Sequence, residues 1–248
     1  VIPLWVRPAL RAVILTLLVL LGLELVFHLV AAPNLRVSKL VFTGDRPQGA
    51  SAALLGLRDR EYYFSVDEAS VEARLSALPW VKTASVEKKF PDTVAVNLVT
   101  RKPLVVSLVG GAVLSVDDTG LVFGVGTDAQ GLDLPVISGV AFETLQPGSR
   151  FPEALKPLFE RLAALRQTSP GLFRSISEIE LRKNGAGFDA VVYPVDTPVR
   201  ILLGDRWDAS TIGQMFVLLD VVRKQGWTSK TKEIDFRTTP VVLRPRES

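Results

Sequence analysis

The stretch AVILTLLVLLGLELVFHLVAA, residues 12–32, limits the folds open to this chain more than any other feature. Only Thr16, Glu24 and His28 in it are clearly polar. A helix of about 20 such residues crosses a hydrocarbon core of about 30 Å. The run therefore predicts one membrane-spanning helix over residues 12–32, a short cytoplasmic tail over residues 1–11 and an exported remainder. Arg7 and Arg11 precede the run, and Arg36 and Lys39 follow it, so flanking charge orients it weakly. Long following domains translocate whatever their charge, which favours an N-terminus in the cytoplasm. A cleaved signal peptide ending at Ala31 and Ala32 is the competing reading, but the run is longer than the roughly 7–15 apolar residues of such peptides.

Within the run, Glu24 and His28 lie four apart on one helical face. A carboxylate near a bilayer centre costs about 2.5–3.5 kcal/mol on insertion scales, less towards the interface. Either Glu24 is protonated and His28 reaches the headgroups, or both meet a partner's span. His28 is the sole histidine and there is no cysteine. The remainder thus has no imidazole for a catalytic triad and no thiol for catalysis or metal binding. It must hold its fold by its own core, without disulfides. The net charge of +3 is spread along the chain, which disfavours nucleic acid. Asp117-Asp118 before Thr119-Gly120 reads as a solvated turn. Ser229-Lys230-Thr231-Lys232 fits the S-x-x-K pattern of penicillin-binding proteins, but no S-x-N or K-T-G element accompanies it. The expectation is a protein with no catalytic residues, no cofactor, no metal and no small-molecule substrate.

After the run, alternation over Val37 to Thr43 predicts a strand ending at Gly44. Leu54, Leu55 and Leu57 suggest a short helix. Asp67 is a candidate N-cap for a helix that stacks Val71, Leu75 and Leu78 and stops at Pro79. Trp80 to Lys88 then alternates, with Val81, Thr83, Ser85 and Glu87 on one face and Lys82, Ala84, Val86 and Lys88 on the other. Phe90-Pro91-Asp92-Thr93 supplies a turn in which Asp92 can bond its own backbone, and Val94 to Thr100 returns as the partner strand. Trp80 is expected against the helix–strand corner, with Lys88 and Lys89 solvated at the hairpin tip. The remainder predicts strands at 104–108, 121–125, 176–181, 188–193, 199–203, 232–237 and 241–243. Helices are predicted at 153–167 and 209–224, with Pro157 at odds with the first turn of the former.

Several of these segments resemble the FtsQ/DivIB cell-division family. They are Gly44 at a strand end, Leu78-Pro79-Trp80-Val81-Lys82, Ala84, Val86, Phe90-Pro91-Asp92-Thr93-Val94 and Arg101-Lys102-Pro103. Leu114 to Phe123, Leu134-Pro135 with Gly139, Leu203-Gly204 and Glu233 to Arg237 continue the likeness. The resemblance implies an α+β protein: a transmembrane helix, a POTRA domain (β-α-α-β-β) over 36–103, and over 104–248 a second α+β domain with a mainly antiparallel sheet. Gly44, Pro79, Trp80, Val81, Pro91 and Asp92 would be the POTRA structural motif. It further implies a non-enzymatic scaffold at the division septum of the cytoplasmic membrane, linking early and late division proteins. Its partners would be FtsB/DivIC-like and FtsL-like bitopic proteins, captured near the end of the second domain by Glu233, Ile234, Asp235, Phe236, Arg237, Val241 and Leu243. A strand near a sheet edge offers unpaired backbone groups for such capture. Where the family commonly reads Asp-Leu-Arg-Tyr, this chain has Asp235-Phe236-Arg237-Thr238, followed by Pro240. The alternative function is a POTRA-bearing factor for protein export or outer-membrane assembly. Such factors generally continue into a β-barrel, and no series of lipid-facing alternating strands is present in this sequence.

Overall fold

The computed structural model describes residues 6–31, 35–45, 52–57, 61–126, 133–139, 146–185 and 187–246. The chain divides into two units, Val1–Thr100 and Arg101–Ser248. The first begins with helix α1 (Val6–Val26), which runs into a π-helical turn, Phe27–Ala31. Among the described residues no helix is long and apolar enough to cross a membrane. The side chains described in α1 start at Leu10, and its leucines and valines from there onward are exposed, as is Glu24. The His28 side chain lies outside the described residues.

Beyond it, β1 (Lys39–Gly44), β2 (Val81–Lys89) and β3 (Thr93–Thr100) form a sheet of order β1-β3-β2, with β1 parallel and β2 antiparallel to β3. Helices α2 (Ala52–Leu55) and α3 (Glu68–Ser76) complete the unit, and Asp67 caps α3 by accepting the Ala69 N–H at 3.2 Å. Val71 and Leu75 from α3 meet Val81, Val94, Val96 and Leu98 in one core. Each such side chain removed from water contributes about 1.5–3 kcal/mol. Trp80 is half-buried against this core, as its position after Pro79 suggests.

Strict alternation misplaces Val81. The register of β2 against β3 shifts between Val81 and Thr83, and this bulge puts Val81 on the inner face with Ala84 and Val86. Gly44 ends β1 at φ 79°, where a Cβ would stand 2.4 Å from the Leu98 carbonyl oxygen. That position admits only glycine without a backbone shift. Lys88 is not merely solvated at the hairpin: its Nζ donates to the Val66 carbonyl at 2.9 Å and lies 5.6 Å from the Tyr63 ring centroid. Lys89 is exposed, with Glu87 3.8 Å away.

The second unit is built on a nine-stranded sheet of order β12-β11-β10-β9-β8-β7-β4-β5-β6. Its strands are β4 (Val105–Val109), β5 (Ala112–Val116), β6 (Val122–Gly126), β7 (Val136–Ser138), β8 (Ile176–Asn184), β9 (Gly187–Pro194), β10 (Arg200–Gly204), β11 (Thr231–Asp235) and β12 (Val242–Pro245). The sheet is mixed: β7 is parallel to both β4 and β8, and β10 is parallel to β11, while the other neighbours are antiparallel. Helix α4 (Lys156–Thr168), the short α5 (Pro170–Arg174) and α6 (Ala209–Lys224) bury Leu158, Phe159, Leu162, Phe173, Met215, Phe216 and Leu219 against alternate strand residues such as Ile179, Leu181, Val192, Ile201, Leu203 and Ile234. Pro157 is accommodated in the first turn of α4, where a missing N–H costs nothing. No helix is expected from the sequence at α5, which Pro170 opens.

Asp117 departs from the solvated-turn expectation. Its side chain is 2 % exposed and pairs with Arg101. It also accepts from the Thr119 hydroxyl at 2.7 Å and from the Thr119 and Leu121 N–H groups at 2.9 Å. Burial pushes this carboxyl up, but those hydrogen bonds and Arg101 together outweigh burial and hold it below its ordinary 3.8. A folded-state pKa below the unfolded one stabilises the fold in full above that ordinary value, and the contribution is lost as pH falls through the folded pKa. Asp117→Ala should therefore cost about 1–3 kcal/mol at pH 7, because the Thr119 and Leu121 N–H groups lose their buried acceptor. Urea denaturation should show the gap between wild type and variant narrowing in acid.

Candidate partner-binding edge

Two of the nine strands are edges, and the residues expected to capture a partner sit at one of them. Strand β11 is not itself the edge. It runs between β10, to which it is parallel, and β12, which pairs antiparallel with it through Glu233↔Arg244, Ile234↔Leu243 and Asp235↔Val242. Ile234 and Phe236 therefore point into the core, at 0 % and 2 % exposure, and the Phe236 N–H donates to the Leu202 carbonyl at 2.8 Å. Their side chains are spent on the fold. Proline at Phe236 would break an interior hydrogen bond of the sheet rather than report on an edge.

Glu233 and Asp235 take the opposite face, where they are buried under arginines. The Arg200 guanidinium reaches Glu233 at 2.7 Å, and Arg237 holds Asp235 through two side-chain donors at 2.8 and 2.9 Å. Arg244 of β12 spans both acids, 3.2 Å from Glu233 and 3.1 Å from Asp235. The Arg237 hydrogen bonds chiefly keep the Asp235 carboxyl below its ordinary range, against the opposing effect of burial, with Arg244 adding to the pull. The acids thus fasten the arginines, and Arg244 fastens β12.

What is accessible belongs to β12. Val242 and Leu243 are 40 % and 38 % exposed, Val241 is half-buried against the core, and no described strand pairs with the outer side of β12. The Arg246 N–H donates to the Lys230 carbonyl at 2.8 Å. Backbone groups alternate along an antiparallel strand, so Arg244 and Val242 also turn theirs towards β11, and Leu243 turns its N–H and C=O outward. Pro245, next on the outward side, has no N–H. The free edge is short and blunted, yet it leaves an outward donor and acceptor at Leu243 flanked by cations.

The other expected site residues lie in the first unit. Asp92 accepts the Ser38 hydroxyl with its side chain and the Ser38 N–H at 2.9 Å with its carbonyl, so it ties the hairpin tip to the start of β1 rather than bonding only its own turn. Ser38 and then Thr93 lower its carboxyl pKa. Gly44, Pro79, Trp80, Val81, Pro91 and Asp92 are turn, strand-end and core positions of one small sheet. Ser229 and Lys232 run from a turn into β11, so they share no helical face of the kind an S-x-x-K site uses. Among the described residues, no three His, Cys, Asp or Glu side chains gather as a metal site would require.

Removing Arg244 should loosen β12 while sparing the sheet, because Arg200 and Arg237 still pair the two acids. For Arg244→Ala, amide hydrogen exchange should accelerate at β12, while global stability falls by no more than about 1 kcal/mol.

Comparison with known proteins now supplies a context for this architecture. Residues 52–101 match the family model described as "POTRA domain, FtsQ-type". The chain is 32% identical over 149 residues to the cell division protein FtsQ of Geobacter sp. (strain M21), covering 60% of this chain and 54% of that protein. It is 29% identical over 155 residues to the FtsQ of Geotalea daltonii, covering 61% of this chain and 55% of that protein. With the FtsQ of Anaeromyxobacter sp. (strain K) it shares 28% identity over 182 residues, 73% of this chain and 60% of that protein. The chain thus spans little more than half the length of the curated relatives it matches. Residues 52–101 of its β-α-α-β-β unit are similar to a POTRA domain of the FtsQ type, and the chain is similar to several FtsQ cell-division proteins.

Proposed function

We propose that this chain is a membrane-anchored scaffold of the division machinery that acts by binding proteins and catalyses no reaction. The similarity to several proteins named cell division protein FtsQ is the observation that carries the reading. Residues 12–32 would be an anchor, with residues 1–11 on its cytoplasmic side and the POTRA domain (36–103) and second domain (104–248) outside. The exposed leucines and valines of α1 support that assignment, since a water-facing helix of this composition would leave a continuous apolar surface. Glu24 would lie in the outer half of the span, available to a neighbouring helix. Depletion in the host, complemented by a fluorescent fusion of the full chain, tests the role. Filamentous cells with midcell fluorescence are expected. Normal septa, uniform envelope fluorescence and loss of outer-membrane proteins would instead favour the export reading.

Capture of FtsB/DivIC-like and FtsL-like partners would occur at β12, by addition of a partner strand to its free side. Glu233, Asp235 and Arg237 would act by holding β12 and its arginine in place, and Val241 and Leu243 would lie at the contact. Leu243→Pro removes the outward N–H without touching the ladder to β11. It should weaken binding of such a partner about tenfold or more, measured by titration of the full chain in detergent. Undiminished binding by a folded variant would count against strand addition.

A further inference from the structure

The first unit carries a cluster of exposed aromatic rings that its fold does not use. Phe90 at the hairpin tip is 70 % exposed, Phe64 59 % and Tyr62 36 %. The Tyr63 ring joins them, 5.3 Å from Phe64 and 6.0 Å from Phe90, and Tyr62 lies 5.6 Å from Phe64. The core of the unit closes without Phe64 and Phe90, so their exposure needs another account.

The position of the cluster is fixed by backbone bonds. The Tyr63 N–H donates to the Leu35 carbonyl at 2.8 Å, the Val37 N–H to the Glu61 carbonyl at 2.9 Å, and the Ser38 N–H to the Asp92 carbonyl at 2.9 Å. The 62–65 segment, the 90–92 turn and the chain arriving from α1 therefore meet at one end of the sheet, where parallel β1 and β3 both begin. Ala31, where the helical segment ends, and Arg36, which bridges to Tyr62, are five residue steps apart. Five steps reach at most about 18 Å. Exposed aromatics tethered this close to a membrane helix lie within reach of the headgroup layer. Tyrosine and phenylalanine partition there because an apolar ring can bury while polar groups stay wet.

We propose that Tyr62, Phe64 and Phe90 form a membrane-resting face that inserts into the interface of the bilayer holding the anchor. The proposal rests on residues 12–32 being that anchor. Charges around the face are of both signs, with Arg36, Lys39, Lys88 and Lys89 against Glu61, Glu68, Glu87 and Asp92. The rings, rather than attraction to anionic lipid, thus drive the contact. Docking there would hold the POTRA domain at a fixed height and tilt over the membrane instead of leaving it to swing on its linker.

The absence of cysteine makes the test direct. Single variants Phe64→Cys, Phe90→Cys, Val99→Cys and Leu18→Cys of the full chain are spin-labelled and reconstituted in vesicles of phosphatidylethanolamine and phosphatidylglycerol. Val99 is exposed near the far end of β3 from the cluster. Relative to Val99, labels at 64 and 90 should collide about threefold more with dissolved oxygen and less with a water-soluble nickel chelate, as interfacial residues do. If Leu18 is in hydrocarbon while 64 and 90 match Val99, the resting face is overturned and the anchor stands. If Leu18 is itself in water, anchor and resting face fall together. Labels at 64 and 90 that are shielded only when a second protein is added would reassign the face to a protein partner.

Discussion

A wide sheet whose helices contribute to a single core must make its other face compatible with water, and in this protein it does so with paired charge. Alternation forces the choice: Ile179, Leu181, Ile201 and Ile234 take one side, so Glu178, Glu180, Arg200 and Glu233 take the other. On that side Arg182 and the Tyr193 hydroxyl meet Glu180 at 2.8 and 2.7 Å, the Ser138 hydroxyl bonds Glu178, and Arg200, Arg237 and Arg244 cover Glu233 and Asp235. Such pairs contribute little each when exposed, but around nearly inaccessible acids a missing partner is costly. The lattice therefore enforces register more than it adds stability. A one-residue slip of β11 would bring Ile234 and Phe236 out and its acids into the core.

The local grammar of the chain was legible. Asp67 caps its helix through the Ala69 N–H, as its position predicts, and the α6 boundaries follow from its apolar spacing. Features set by contacts distant in sequence were not. The bulge at Val81 depends on β3, the burial of Asp117 on Arg101, and the retreat of β11 from the edge on the later strand beyond Pro240. The resemblance placed attention on the end of the second unit where the sheet has an edge, but alternation alone could not tell which strand there would remain unpaired on one side.

The two units manage their chain-facing ends differently. In the first, Asp92 ties the hairpin tip to β1, and the rings of Tyr62, Phe64 and Phe90 gather at that end. In the second, Arg101 is held at the outset by Asp117. Both acids act through neighbours that hydrogen-bond their charged form, so each joint is tightest at neutral pH.

Among the described residues strand β12 has one neighbour, β11, which reaches the sheet through the crossover helix α6 and pairs with β10. Anything bound to β12 would bind only molecules in which that succession is complete. By mass action, a ligand present at about a hundredfold over its dissociation constant would add about 2.7 kcal/mol to the folded sheet. Occupancy of the edge would thus select intact molecules from incompletely folded ones, so binding there would also serve as an inspection of the sheet itself.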